Sequence, residues 1–473
     1  MLWVVGILVV AVAAFFGIQF FTKTGIFKIP GVVYYAEELT DDERSKIENI
    51  FTDEIVLDKD VRISVSESNS MPELTEGEFL VDIRVPVADF YDVRKDISEY
   101  TEDEYKFIPI NELDSKVKLL SMDGKYYLDD FEKGGIFRTI KFDSEKYDEE
   151  IKPLVGELFN SEFPTKDTVL TFAQTGVTAL SRGMNAKLYQ VGDATYFAEG
   201  IKDFLSGHDL THTSNESSFT DLANSSNICS DKRFIDTLLA IGLDIVELTG
   251  NHNLDCGATA ALDTLNTYKE NGISKVGGGS DATDAAVPLE INEKGSNITF
   301  LAYNLSTGGA TLGALPGANQ YYEENAVAEI NAAKECGDFV IVDIQYYECS
   351  AYASEYEDPI CDYPENVPGD EIGFFRHLID LGADLVVGTS AHQPQTFELY
   401  GDGAIYYGLG NLFFDQAWWP GTTRSLILSH YFYKGKLLQT NVVPTVYDKN
   451  LQTRLLDEET SRWFLNRLIS IKP

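Results

Sequence analysis

The stretch DIVELTGNHNLDCGATAALDTLNTYKENG, residues 244–272, decides how the chain is read. Its opening, DIVEL, is a short apolar run of strand type. Its end, TAALDTLNTYKENG, spaces apolar residues as one face of a helix and stops at Gly272. Between them sits a tight cluster of polar groups, TGNHNLDCG. Strand, polar loop and helix in that order make an α/β unit, with the polar loop at the carboxyl end of the strand, where sites collect in such folds.

The same grammar extends both ways. VLTFA (169–173), ITFLAYN (298–304), FVIVDIQYY (339–347), DLVVGTS (384–390), AIYYGLGN (404–411) and SLILSHYFY (425–433) read as strands, with FIDTLLAIG (234–242) and IGFFRHLIDLG (372–382) as helices among them. EETSRWFLNRLISI, from Glu458, reads as a closing helix. Upstream, VRISVS (61–66) and FLVDIRV (79–85) alternate as half-buried strands between acidic amphipathic segments. The expected division is a segment 1–22, an α+β domain over 24–165 with no His or Cys and no catalytic constellation, an α/β domain over 166–446, and a helical tail over 447–473.

Met1–Thr22, MLWVVGILVVAVAAFFGIQFFT, carries no charged side chain. As a helix it is about 30 Å long, the thickness of a bilayer core. It lacks the basic start and the shorter apolar core of a cleaved signal. A single-pass membrane anchor is expected, with Lys23–Pro473 outside the cell, although Lys23 and Lys28 pull the other way under the positive-inside rule.

The 473 residues hold 76 Asp plus Glu against 37 Lys plus Arg, a net charge of −39. Such a body excludes nucleic acid as a partner, since phosphate-backbone binding needs Lys and Arg. It disfavours anionic lipid heads and favours cations and basic partners. The five cysteines form no CxxC pair, so structural zinc is not expected. Cys349 and Cys361 bracket a short loop and are candidates for a disulfide; Cys229 and Cys256 are a second candidate pair, and Cys336 is expected to be buried at a helix end. Five reduced thiols are the alternative.

Polar groups gather after successive strands: QTGVTALSR (174–182), THTSNESSF (211–219), TGNHNLDCG (249–257), QYYEC (345–349), GTSAHQPQ (388–395) and YGLGNLFFDQ (407–416). Asn, His and carboxylate groups at strand ends suit a polar or divalent-metal site. Read in order, NHNLDCG, LDTLNTYKENGI with VGGG, SAHQPQTFELY and IYYGLGNLFFDQ resemble the bacterial capsule-synthesis CapA family, the poly-γ-glutamate biosynthesis group. The resemblance runs from about residue 167 to 446. It implies a calcineurin-like, four-layer α/β/β/α metallophosphatase-type sandwich with a site across the strand ends.

Carried over residue by residue, the resemblance implies Glu216, Asn251 and His392 as ligands of one divalent metal (Mn, Fe or Zn). It implies His252 as the group that protonates a leaving group, and Gln345, Glu348, Asn411 and Asp415 as the residues that meet substrate. This sequence departs from the family in three places. Gly176 stands where the family has a metal-ligating Asp, Gln345 replaces a His, and Ser390 and Ala391 replace a His and a Pro. Three ligands with an open position hold one metal rather than two.

Each residue also has a purely structural reading. His208 and His212 are expected to flank a strand, His377 to lie on a helix surface, and His430 in a strand. Asn411 and Asp415 are expected to fix the loop beside the site, and Trp418 and Trp419 either line a groove or pack. Two functions are therefore expected of the chain. One is a membrane-anchored surface protein handling an anionic polymer or its precursor beside other cell-envelope proteins, with a metal-assisted hydrolase or transferase step. The other is a non-catalytic binding or adhesion module on the same fold. A two-lobed solute-binding protein is a third reading.

Overall fold

The computed structural model describes residues 33–50, 61–143, 155–156, 158–159, 162–305, 308–311, 313–346, 369–418, 420–471 and 473. The expected anchor Met1–Thr22, together with Glu348, Cys349, Cys361 and Trp419, lies outside the described residues. Among the described residues no helix is long and apolar enough to cross a membrane.

The chain divides into two compact units. The first spans residues 1–68, 72–82 and 137–162. There a strand over Val61–Ser68 pairs parallel with Val33–Tyr34 and antiparallel with Ile136–Asp143. A helix over Asp41–Ile50 accompanies them, and Leu39, Ile47, Val61, Ile63, Ile140, Phe142, Val155 and Phe159 form the core. The buried Arg138 is held by Glu43 at 3.0 Å and Glu67 at 2.8 Å.

The second unit comprises residues 69–71, 83–136 and 163–473. It is mixed α/β and is built on two large sheets. The first contains β1 (Val169–Thr178), β2 (Leu210–Asn215), β3 (Ile245–Glu247) and β4 (Ser274–Val276). The second contains β5 (Leu289–Glu293), β6 (Ser296–Asn304), β7 (Phe339–Gln345), β8 (Leu385–Gly388), β9 (Phe397–Tyr400) and β10 (Gly403–Tyr406). The chain then returns to the first sheet with β11 (Asn411–Phe413), β12 (Arg424–Tyr433), β13 (Lys436–Tyr447) and β14 (Thr453–Leu455). The first sheet runs β4-β3-β2-β1-β12-β13-β14 with β11 beside β1, and the second runs β5-β6-β7-β8-β10-β9. Strands β1 to β4 are mutually parallel, as are β6, β7, β8 and β10.

One apolar core joins the sheets. Leu170, Phe172, Ile245 and Leu428 from the first meet Ile298, Phe300, Ile341 and Leu385 from the second. Each of these fully buried side chains contributes about 1.5–3 kcal/mol relative to exposure. The other face of the first sheet packs Met184 and Leu188 of α1 (Gly183–Val191), Leu238 of α2 (Ile235–Ala240) and Tyr268 of α3 (Gly257–Glu270). The other face of the second packs Ile330 of α4 (Glu323–Cys336) and Phe375 of α5 (Glu371–Asp380). The parallel strands are covered on both sides, which is why FVIVDI reads as a continuous apolar run rather than an alternating one. The closing helix is α6 (Glu458–Ser470), capped by Asp457, whose carboxylate accepts the Thr460 N–H at 2.9 Å.

Residues 83–136 belong to this unit. The Tyr91 hydroxyl oxygen accepts the Leu399 N–H at 3.0 Å, and the Gln439 side-chain oxygen accepts the Leu119 N–H at 2.8 Å. Cys229 and Cys256 form a disulfide. Cys336 is a correction: it does end a helix, but it is exposed and free, because α4 stops at a left-handed Gly337 at the surface.

Candidate functional site

The site is made by side-chain parity on two strands and by three loops. On β2 and the residue after it, alternation places His212, Ser214 and Glu216 on one side. On β7 it places Asp343 and Gln345 together. The loop after β3 supplies Asn251 and His252, the loop after β8 supplies His392, and β11 supplies Asn411. Gly250 lets the first loop close in, since a Cβ there would lie 2.7 Å from Glu216 Cα. Ser218 donates to Asn253 O at 2.6 Å and Asn253 to Leu248 O at 2.8 Å, which fixes the turn.

These elements bring Glu216, Asn251, Gln345, His392 and Asn411 together. The Gln345 Nε2 amide donates to Glu216 Oε1 at 3.3 Å and Asn251 Oδ1 at 3.4 Å. His392 Nε2 lies 4.0 Å from Glu216 Oε2, and its Nδ1 lies 2.9 Å from Asn411 Oδ1. Asn411 uses its amide N–H groups on Gln416 Oε1 at 3.0 Å and Thr422 O at 3.1 Å. Its oxygen therefore faces His392 as acceptor, His392 carries a proton on Nδ1, and Nε2 is turned toward Glu216. Glu216 and His392 are almost completely buried, at 0% and 2% exposure. An imidazole whose far N–H is fixed by an amide oxygen is the arrangement metal-ligating histidines use.

The donor set fits one divalent cation through one carboxylate, one imidazole and the amide oxygen of Asn251. Among the described residues no group of three or more His, Cys, Asp or Glu is placed to hold a metal, so the amide is indispensable to any such centre. At Gly176 no side chain fits, because a Cβ would stand 2.1 Å from Gly410 O.

His252 sits at the mouth, partly exposed, with Nδ1 2.8 Å from Asp255 Oδ2. That carboxylate orients the ring. Asp415 is occupied elsewhere: Oδ1 accepts Arg182 Nε at 2.8 Å, and Oδ2 accepts the Gly183 N–H at 2.6 Å. Burial pushes its carboxyl up, against the pull of Gly183 and Arg182. Trp418 is exposed, with the Arg182 guanidinium 5.3 Å over its ring.

His212 lies within β2 rather than flanking it. His208 bonds Ser429 Oγ at 2.8 Å, His377 pairs with Glu323 at 2.7 Å on the surface of α5, and His430 lies buried in β12 on Thr440 at 2.8 Å.

Behind the strand-end cluster runs a second polar group absent from the reading of the sequence. Gln174 Nε2 donates to Asp343 Oδ1 at 2.6 Å, and His212 Nε2 lies 3.3 Å from Asp343 Oδ2. Glu247 accepts the Thr249 N–H. Burial, then the neighbouring Asp343 charge, pushes the Glu247 carboxyl up to about 7. The available signal is the parity of H-T-S-N-E and D-I-Q, in which polar residues recur at every second position toward the strand end.

Residues 171–416 match the family described as Bacterial capsule synthesis protein PGA_cap. The chain is 27% identical over 239 residues to the "Capsule biosynthesis protein CapA" of Bacillus anthracis, covering 47% of this chain and 55% of that one. It is 24% identical over 287 residues to the "PGA biosynthesis protein CapA" of Bacillus subtilis (strain 168), covering 59% and 72%. The chain thus spans about half the length of the Bacillus anthracis protein. A crystal structure of a hypothetical protein from Thermus thermophilus superposes with a TM-score of 0.29 at 11% identity, over 61% of this chain and 96% of that one, a likeness that carries no argument.

Proposed function

The chain belongs to the bacterial capsule synthesis family PGA_cap, and from that premise we propose that it is a CapA-like protein of capsule or poly-γ-glutamate-type polymer synthesis, export or anchoring, with a single-metal site. In this reading the two sheets and their outer helices are a four-layer metallophosphatase-like sandwich. Met1–Thr22 anchors the chain in the cell membrane, and the remainder lies outside the cell.

The observation that carries the reading is the convergence of the buried Glu216 and His392 with the half-buried Asn251, His392 Nε2 being presented to Glu216 at 4.0 Å by Asn411. A divalent metal held there supplies Lewis-acid polarisation of a substrate oxygen and a more acidic bound water. The chain's own residues do the rest. His252, oriented by Asp255, holds a proton at Nε2 for a leaving group at the open mouth. Gln345 hydrogen-bonds the oxygens of Glu216 and Asn251. A polymer of carboxylates approaching a body of net charge −39 needs bridging cations, which a divalent site favours.

The second reading is a non-catalytic surface binding module on the same fold. Gln345 favours it, because its amide occupies the two oxygens a cation would use.

Elemental analysis of the purified chain beside His392→Ala and Glu216→Ala decides between them. About one equivalent of Mn, Fe or Zn in the wild type, lost in both variants, is the expected result. No bound metal under several loading conditions ends the single-metal reading and leaves the binding module.

A further inference from the structure

A cavity of about 320 Å³ lies in the second unit between the 83–136 segment, β13 and α6, and shares no residue with the strand-end site. That volume is in the range of small-molecule pockets. Its walls are of two kinds. Phe90, Phe397 and Leu465 are apolar, while Lys95, Lys118 and Arg462 bring three cations, and Asp92 and Glu458 two carboxylates, to the lining.

The cations are not equivalent. Arg462 is committed to Glu458 at 2.7 Å and to Glu99. The acidic groups nearby are committed as well, Asp92 to Arg94 at 2.8 Å. Lys95 and Lys118 form no ion pair among the described residues. Lys118 Nζ donates to the Asp92 backbone oxygen at 2.5 Å and is otherwise turned to the cavity. Burial, opposed by the Asp92 and Glu99 charges and helped by those of Lys95 and Arg462, pulls the Lys118 ammonium down to about 8. An ammonium group on an apolar wall without a carboxylate partner is costly, and an incoming anion removes that cost. Asp92 and Glu458 line the cavity too, but each is paired with an arginine, so Lys95 and Lys118 are the lining charges that form no ion pair among the described residues.

We infer that this cavity binds a single-chain amphiphile with an anionic head, the head on Lys118 and Lys95 and the chain along Phe90, Phe397 and Leu465. An apolar chain alone leaves the lysines unmatched, and a small anion alone leaves the apolar wall wet. Only a ligand with both parts satisfies both walls.

Calorimetric titration of the purified chain tests this with dodecanoate, dodecyl phosphate, dodecanol and acetate, all below micelle-forming concentration. One or both anionic amphiphiles are expected to bind at least about tenfold tighter than dodecanol and than acetate, the size of one charged hydrogen bond. Whichever of the two binds tighter identifies the head as carboxylate or phosphate. Lys118→Met, and separately Lys95→Met, should weaken the anionic amphiphiles toward dodecanol and leave dodecanol unchanged. Dodecanol binding as tightly as both anions, acetate binding as tightly as dodecanoate, or unaltered anion affinity in a folded Lys118→Met chain overturns the inference. The four-ligand comparison uses the wild type alone and stands even if a variant fails to fold.

Discussion

Gln345 Nε2 lies 3.3 Å from Glu216 Oε1 and bonds the same carboxylate that His392 faces from the other side. An amide N–H there competes with a cation for the lone pairs of Glu216. Replacing it with an imidazole converts a competitor into a ligand, with the donor type that suits Zn, Mn or Fe. Gln345→His is therefore expected to tighten Mn²⁺ or Zn²⁺ binding by about tenfold or more, as a change in metal surroundings commonly does. Equilibrium dialysis against wild type reads the shift, and unchanged affinity would place Gln345 outside the centre.

Glu247 sets a pH dependence. Its carboxyl is raised to about 7 in the folded chain, so between the ordinary carboxylate range and about 7 the folded state holds a proton that the unfolded state has released. Stability from this group is complete at acid pH and is lost as pH rises through about 7. Glu247→Gln mimics the protonated form. It is expected to match wild type near pH 4 and to exceed it at pH 8, by at most about 3 kcal/mol. Urea denaturation at the two pH values checks both halves.

Asp415 acts on the fold rather than on a ligand. Asp415→Asn keeps the shape but leaves Arg182 without its charge partner and weakens the bond to the Gly183 N–H. A loss of about 2 kcal/mol is expected, with metal content unchanged. Loss of metal at full stability would reverse that assignment.

The Cys229–Cys256 disulfide ties the segment after β2 to the start of α3 across 27 residues. In the chain-entropy account such a closure is worth about 3.5 kcal/mol. The Cys229→Ala, Cys256→Ala double variant should melt several degrees lower by calorimetry, and wild type in reductant should melt with it.

Much of this was legible in the sequence. DIVEL, the NHNLDCG loop and the helix after it fold as their local patterns dictate, because each carries its own strand, turn and cap chemistry. His392 stands out because its loop follows the apolar run DLVV, whereas Glu216 follows the polar T-H-T-S-N and is reached only through the family resemblance. His212 and Asp343 do not stand out, since a polar residue inside a strand looks like one tolerated exception until its partner across the other sheet is known. Gln174 and Asp343 are 169 residues apart and meet only when the sheets stack. The Lys118 cavity is less legible still, for its apolar and its cationic lining each combine residues from 90–126 with residues from 397–469, and neither has a motif.

Gly176 bears on how two strands meet. The approach to β11 has closed so tightly over it that Gly410 O occupies the volume of any first side-chain carbon. Any side chain at position 176 would first have to prise the approach to β11 away from β1, so this one residue sets how closely the two strands can lie.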